Sequence, residues 1–234
     1  MINRERLRNK AAQYGIEVSD LQLEQLDAYA RLLVEWNGRM NLTSITEPEE
    51  IEIKHFLDCM LAAVLCKAGE SVADVGTGAG FPGVVIKIMQ PETDLTLIDS
   101  LEKRLTFLSE VGRQLGIDMK CVHARAEDAG HTDKLRQSFR TTTARAVAPL
   151  NVLAEYCLPL TVVGGRLIAM KGRSAADEVE SAMGAIEILG GKIAEEKEFT
   201  LPDGSERQII VIDKIASTAE KYPRRANAIK KKPL

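Results

Sequence analysis

Residues 71–83, SVADVGTGAGFPG, constrain this chain more than any other stretch. A short apolar run holding Asp74 leads into glycines at 76, 78, 80 and 83, and an apolar-periodic segment (Val84, Val85, Ile86, Ile88) begins directly after them. That order predicts a strand, a tight turn and a helix. Glycine lets such a turn take positive φ and lets backbone N–H groups approach a ligand with no Cβ between, while the helix N-terminus adds donors and a favourable dipole. Pro82 falls where a first-turn proline loses no hydrogen bond.

Two cofactor classes use a turn of this kind. Gly78, Gly80 and Gly83 fit the G-x-G-x-x-G of dinucleotide binding, whereas Asp74, Gly76, Gly78 and Gly80 fit the D-x-G-x-G-x-G pattern of S-adenosylmethionine (SAM) sites in Rossmann-like methyltransferases. A carboxylate at Asp74 suits a cationic amino-acid moiety and repels a pyrophosphate, which favours SAM.

The rest of the chain alternates around that turn. Strands are predicted at 71–75, 94–99, 119–123, 141–147 and 165–171, with helices following the turn to about 90, after a Ser100 cap, at 150–160 and at 174–189. Two closing strands, 192–200 and 207–214, flank Pro202-Asp203-Gly204 as a hairpin. Such alternation implies an α/β fold, a mostly parallel seven-stranded sheet with an antiparallel edge strand. Ahead of it, residues 3–14 read as a short helix, and Ser19 with Gln22 as a capping box for a helix whose Leu26, Tyr29, Ala30, Leu33 and Trp36 share a stripe before Asn37 and Gly38 end it. Thr46 with Glu49 offers a second box, for a helix at about 47–66, bent in the middle, that places His55 and Asp58 on one face. Three parts are therefore expected: a helical cap over 1–70, a Rossmann-like core over 71–214 and a basic segment over 215–234.

Ligands of doubly wound sheets bind at the carboxyl ends of the strands, near the point where strand order reverses. Those ends supply Asp74 with the glycine loop, Asp99 for ribose hydroxyls, Ala126 and Glu127 to read an adenine, and Arg145 to position cofactor or phosphate. Four cysteines without C-x-x-C spacing or a histidine pair read as reduced thiols, so neither a metal nor a disulfide is expected. No apolar run approaches the roughly 20 residues of a membrane span, and the arginine-rich start has no signal-peptide core, so a cytoplasmic monomer is expected.

The net charge of −3 argues against wholesale coating by nucleic acid but leaves room for a local basic face. From Lys214 onward there are seven basic residues (Lys214, Lys221, Arg224, Arg225, Lys230, Lys231, Lys232) against one acid, Glu220. Arg39, Lys171 and Arg173 lie in segments that border the same mouth, and the set is expected to contact RNA phosphates.

DVGTGAGFPG, LIDSLEKRLTFL, HARAED, ARAVAPLNVLAEYCLPL, GGRLIAMKG and a tail with KYPRR and KKPL together resemble the RsmG (GidB) family, bacterial enzymes that make 7-methylguanosine in 16S, small-subunit rRNA. The resemblance runs from about Asn41 onward, and it implies SAM contacts at Gly76, Phe81, Ala126, Glu127 and Arg145. The chain departs from the family pattern at Cys59, where serine is commoner, and over 226–229, which lack glycine. The resemblance further implies a SAM-dependent methyltransferase acting on rRNA or a ribosomal subunit particle. Guanine N7 carries an available lone pair, so no general base is needed and catalysis by positioning is expected. Two other readings stay open: a SAM-binding ribosome-assembly factor without catalysis, and an NAD(P)-linked oxidoreductase.

Overall fold

A computed structural model describes residues 1–172 and 175–234. The chain opens with α1 (Arg4–Ala12), α2 (Asp20–Met40) and α3 (Pro48–Glu50), which runs into a π-helical segment (Ile51–Leu57) and then α4 (Asp58–Ala63). The Ser19–Gln22 capping box is present in both directions, at 3.3 and 2.8 Å. Leu26, Tyr29, Ala30 and Leu33 are buried on one face of α2, and Trp36 meets Phe107 at 5.6 Å between ring centroids. Asn37 and Gly38 do not end the helix. It continues to Met40, where Asn41 takes the left-handed cap at φ 50°, and Asn37 Oδ1 instead accepts the Thr43 N–H. Thr46 forms no cap either: Glu47 is the cap residue, and Lys10 takes Glu49 at 3.1 Å.

From residue 71 the elements are β1 (Ser71–Val75), α5 (Gly83–Met89), β2 (Asp94–Asp99), α6 (Glu102–Leu115), β3 (Lys120–His123), α7 (Ala126–Ala129), β4 (Phe139–Arg145), α8 (Leu150–Cys157), β5 (Thr161–Lys171), α9 (Ala175–Ile188), β6 (Gly191–Thr200), β7 (Glu206–Lys214) and α10 (Ala226–Lys231). The strands form one sheet of order β3-β2-β1-β4-β5-β7-β6, in which β1 to β5 pair in parallel and β7 runs antiparallel to both neighbours. Strand order reverses between β1 and β4, which is the switch point of an α/β sheet. Ser100 does not cap α6. Leu101 is the cap residue, without a side-chain cap bond, and its own N–H donates to Asp99 Oδ1 at 2.9 Å.

Apolar clusters cover both faces of the sheet. One joins the N-terminal helices to it through residues such as Leu26, Tyr29, Phe56, Val72, Leu108 and Ile168; the other, with Ala144, Leu153, Leu167 and Ile210, lies under α8 and α9. Both clusters leave the carboxyl ends of β1, β2 and β4 at one rim. Among the described residues no helix is long and apolar enough to cross a membrane.

Candidate active site

At the end of β1 the loop is pinned from two directions. The Gly76 and Thr77 N–H groups donate to the Ile98 carbonyl at 2.8 and 3.1 Å, and Gly78 N–H donates to Asp99 Oδ2 at 2.9 Å. The glycines then divide by role. Gly78, at φ +61°, has only the Gly76 carbonyl oxygen, at 4.0 Å, near where a Cβ would stand, whereas a Cβ on Gly80 would meet Leu108, Val84 and the Tyr29 hydroxyl at 2.7 Å. Gly76 lines the cavity beside the loop, where a Cβ would meet Val147 at 2.8 Å, and Gly80 serves close contact inside the fold.

Asp74 is wholly buried. Its Oδ2 accepts the Thr77 hydroxyl at 2.6 Å and the Gly83 N–H at 2.9 Å, and its Oδ1 has no partner among the described residues. Burial pushes its pKa up to about 6 against the pull of those two bonds. An unpaired buried acceptor of this kind is an unmet demand for a donor.

Beside the loop lies a cavity of about 690 Å³ at the switch point, with Gly76, Asp99, Ala126 and Glu127 in its lining. Asp99 Oδ2 also receives Arg104 at 3.3 Å. A carboxylate has lone pairs beyond those three partners, so acceptor capacity remains toward the cavity. Five expected cofactor residues do not line it: Asp74, Gly78, Gly80, Phe81 and Arg145. Gly80 and Phe81 sit behind the loop, Phe81 being buried with its ring stacked on His55 at 4.3 Å. The loop must turn back into the core to start α5, and that turn carries both residues away from the ligand side.

The basic segment is not an extended tail. Ala226, Ile229 and Lys230 of α10, with Pro233, form a wall of the same cavity. Arg136 holds the strap through the carbonyls of Thr218 and Tyr222 at 2.8 Å, and Arg224 makes a bidentate pair with fully buried Glu155 at 2.7 and 2.8 Å. Arg224 was expected at an RNA face, yet its guanidinium is engaged by Glu155 and by the Lys232 carbonyl. Lys214 is likewise buried. Its ammonium donates to the Leu189 carbonyl, and burial lowers its pKa to about 7, so it adds nothing to a cationic surface. Arg225, Lys230, Lys231, Lys232 and Arg39 are exposed, and Arg173 lies outside the described residues.

Arg145, at the end of β4, is a hub. Nη1 donates to Asp58 Oδ2 and to the Lys54 carbonyl, both at 2.9 Å, and Nη2 meets His55 Nδ1 at 3.0 Å. A guanidinium only donates, so Nδ1 must accept, and the ring proton sits on Nε2, which donates to Thr43 Oγ1 at 3.1 Å. Burial and the Arg145 charge lower the His55 pKa to about 3. His55 and Asp58 are therefore brought together, but through Arg145, and His55 is held neutral as a structural ligand of the arginine.

A second cavity, of about 520 Å³, opens on the other side of this hub, lined by Thr43, His55, Arg145, Lys171, Glu178 and Arg207 among others. Lys171 is paired there with Glu178 at 2.5 Å and donates to the Ala148 carbonyl at 2.8 Å. Ala146, a non-glycine residue at φ +56°, lines both cavities. The two spaces thus meet at the end of β4, a place where backbone strain is commonly stored at working sites.

Sequence reasoning missed Glu155, Arg136, Arg207 and Glu178. Glu155 carried a signal, an acid within the apolar face of LNVLAEYC, but the other three are charged residues on polar stretches and carry none.

A family model described as rRNA small subunit methyltransferase G (GidB) matches residues 22–210. Ribosomal RNA small subunit methyltransferase G of Lactobacillus johnsonii is 47% identical over 239 residues, covering 100% of both chains. The protein of that name from Alkaliphilus metalliredigens is 46% identical over 233 residues and 97% of each chain. In fold, the chain is similar to the crystal structure of a SAM-dependent O-methyltransferase from Thermotoga maritima, with a TM-score of 0.52 at 13% identity over 80% of this chain and 72% of that one. A glycine loop at the switch point, a cavity against it and full-length identity near one half lead to one conclusion: this chain belongs to the GidB family of rRNA small subunit methyltransferases.

Proposed function

We propose that the chain transfers a methyl group from SAM to N7 of a guanosine in small-subunit rRNA. The observation that carries this reading is the cavity at the switch point, lined by Gly76, Asp99, Ala126 and Glu127, together with the buried Asp74 two residues before Gly76, whose Oδ1 has no partner among the described residues. The residues present fit the cofactor. Asp74 offers an anion for an ammonium group, Asp99 retains acceptor capacity for ribose hydroxyls, and Ala126 with Glu127 lines the cavity where an adenine would be read. SAM, when bound, supplies an electrophilic methyl on a sulfonium.

The protein's part is placement. Guanine N7 attacks with its own lone pair, so no side chain has to remove a proton, and His55, held neutral by Arg145, is not asked to. Arg145 and Asp58 fix the end of β4, where Ala146 lines both cavities, so that nucleophile and methyl group meet in line with water excluded. Positive charge moves from sulfur to the purine during transfer, and the carboxylates at this rim favour that shift.

On this reading residues 1–70 act as a helical layer over the methyltransferase core of 71–214, and residues 215–234 act as a strap. Arg225, Lys230, Lys231 and Lys232 provide phosphate contacts for rRNA. Incubation with methyl-labelled SAM and unmodified small-subunit particles tests the reading. Label in the RNA supports it, and SAM binding with no labelled RNA overturns it in favour of an assembly factor.

A further inference from the structure

The second cavity has chemistry that the cofactor does not use. Glu178 directs Oε2 to the Leu150 N–H at 2.9 Å and to Lys171 at 2.5 Å, and its Oε1 has no partner among the described residues. Thr43 Oγ1 accepts both the Ile45 N–H at 3.0 Å and His55 Nε2–H, so its own proton is left to donate. Arg207 engages Asp58 at 3.4 Å and the Glu206 carbonyl at 2.9 Å, with more donors in its fork than those two partners take. Its volume lies within the range of small-molecule sites. The cavity is therefore donor-rich, with one open carboxylate oxygen, and it meets the cofactor cavity at Ala146.

Resting on the methyl-transfer reading above, we propose that this cavity seats the methyl-accepting guanine and that Glu178 Oε1 reads its N1–H and 2-amino edge. Guanine carries N7 and O6, both acceptors, on one edge and its donors on the other. With N7 turned toward Ala146 and the cofactor, the donor edge looks across the cavity, and an unpaired carboxylate oxygen is its complement. Adenine presents an acceptor at ring nitrogen 1 and would leave two acceptors opposed, so the same residue selects between the purines. N7 forms the new N–C bond with its lone pair while the electron pair of the breaking C–S bond stays on sulfur, and no proton is lost. The ring that gains positive charge holds its N1–H more loosely, so a carboxylate there binds the transition state better than the ground state.

Glu178→Gln is the matched variant: its amide oxygen can still accept the Leu150 N–H while an amide donor replaces the open acceptor. Calorimetry gives SAM affinity for wild type and variant, and single-turnover methylation is followed on subunits carrying guanosine or inosine, which lacks the 2-amino group, at the target. Wild type is expected to lose about 10- to 100-fold in rate over KM on inosine, the size of a charge-assisted hydrogen bond. The variant is expected to keep SAM affinity and to lose that discrimination. Equal wild-type rates on guanosine and inosine overturn the proposal however the variant folds, as does a variant that discriminates like wild type. Wild type that methylates neither substrate overturns the methyl-transfer reading itself.

Discussion

Arg145 Nη1 lies 2.9 Å from Asp58 Oδ2, joining the last residue of β4 to the first of α4 across 87 positions of sequence. Asp58 is buried, and burial raises its pKa while Arg145 and Arg207 pull it back, so the carboxylate depends on its arginines. The π-helical turn before Asp58 brings the Lys54 carbonyl and His55 to the same guanidinium. Arg145→Lys has one ammonium to serve three acceptors in a fork geometry. Stability is expected to fall by roughly 3 kcal/mol, the cost of breaking a buried pair, and single-turnover methylation by on the order of 100-fold. Urea melts and rapid-quench assays read the two effects separately.

In its proposed role, Asp74 is expected to make SAM binding depend on pH. Its folded pKa of about 6 stands above the ordinary carboxylate range, so the folded chain binds the extra proton and apo stability falls as pH rises through that window. A bound ammonium needs the ionised form. SAM affinity should therefore drop about tenfold from pH 7 to pH 5, from the ionised fraction alone. Asp74→Asn should bind weakly and show no such slope in calorimetry.

The two glycines flanking Ala79 separate ligand approach from folding. Gly80→Ala puts a Cβ 2.7 Å from Leu108, Val84 and Tyr29 at φ +97°, and is expected to destabilise by about 2 kcal/mol or more. Gly78→Ala meets only the Gly76 carbonyl oxygen, at 4.0 Å, so its cost is that of positive φ, about 1 kcal/mol, and the larger loss is expected in SAM affinity. Thermal melts with and without SAM distinguish the pair.

Much of this was legible before the fold was known. The glycine loop, the strand alternation and the acids at strand ends are local patterns, and the loop carbonyl and amide contacts follow from them. What escaped depends on contacts remote in sequence. That Gly80 and Phe81 turn inward follows from Tyr29, Leu108 and His55, none of which the loop sequence announces. Arg224 looks like a surface cation until Glu155, 69 residues away, is placed against it. Helix ends were misjudged at Gly38, Thr46 and Ser100 because a cap residue is chosen by the path of the chain beyond the helix, which propensity does not encode.

The strap should couple cofactor to fold. Glu155→Gln leaves the Arg224 guanidinium without its anion and should cost about 3 kcal/mol in stability. Because Ile229 and Lys230 wall the cofactor cavity, the same change should weaken SAM binding without altering any residue that lines it. Unchanged SAM affinity in a folded Glu155→Gln protein would detach the strap from the cofactor site.

Phosphate contacts carry a salt signature. Replacing exposed Arg225, Lys230, Lys231 and Lys232 by Gln should weaken rRNA binding and flatten the dependence of log affinity on log salt by about 0.7 for each contact removed. Arg224→Gln alone should leave that slope unchanged and lower stability instead, because its charge is taken by Glu155. Filter binding across a salt series gives both slopes.

The central claim is that the two cavities meeting at Ala146 bring a SAM methyl to guanine N7 in small-subunit rRNA. Its most direct test is to incubate the protein with methyl-labelled SAM and small-subunit particles lacking the modification, digest the RNA with nuclease, and identify the labelled nucleotide by mass spectrometry. The expected result is label in 7-methylguanosine at one position, absent with Arg145→Lys at short times. Label at another atom or base, or RNA that stays unlabelled while SAM is bound, would contradict it.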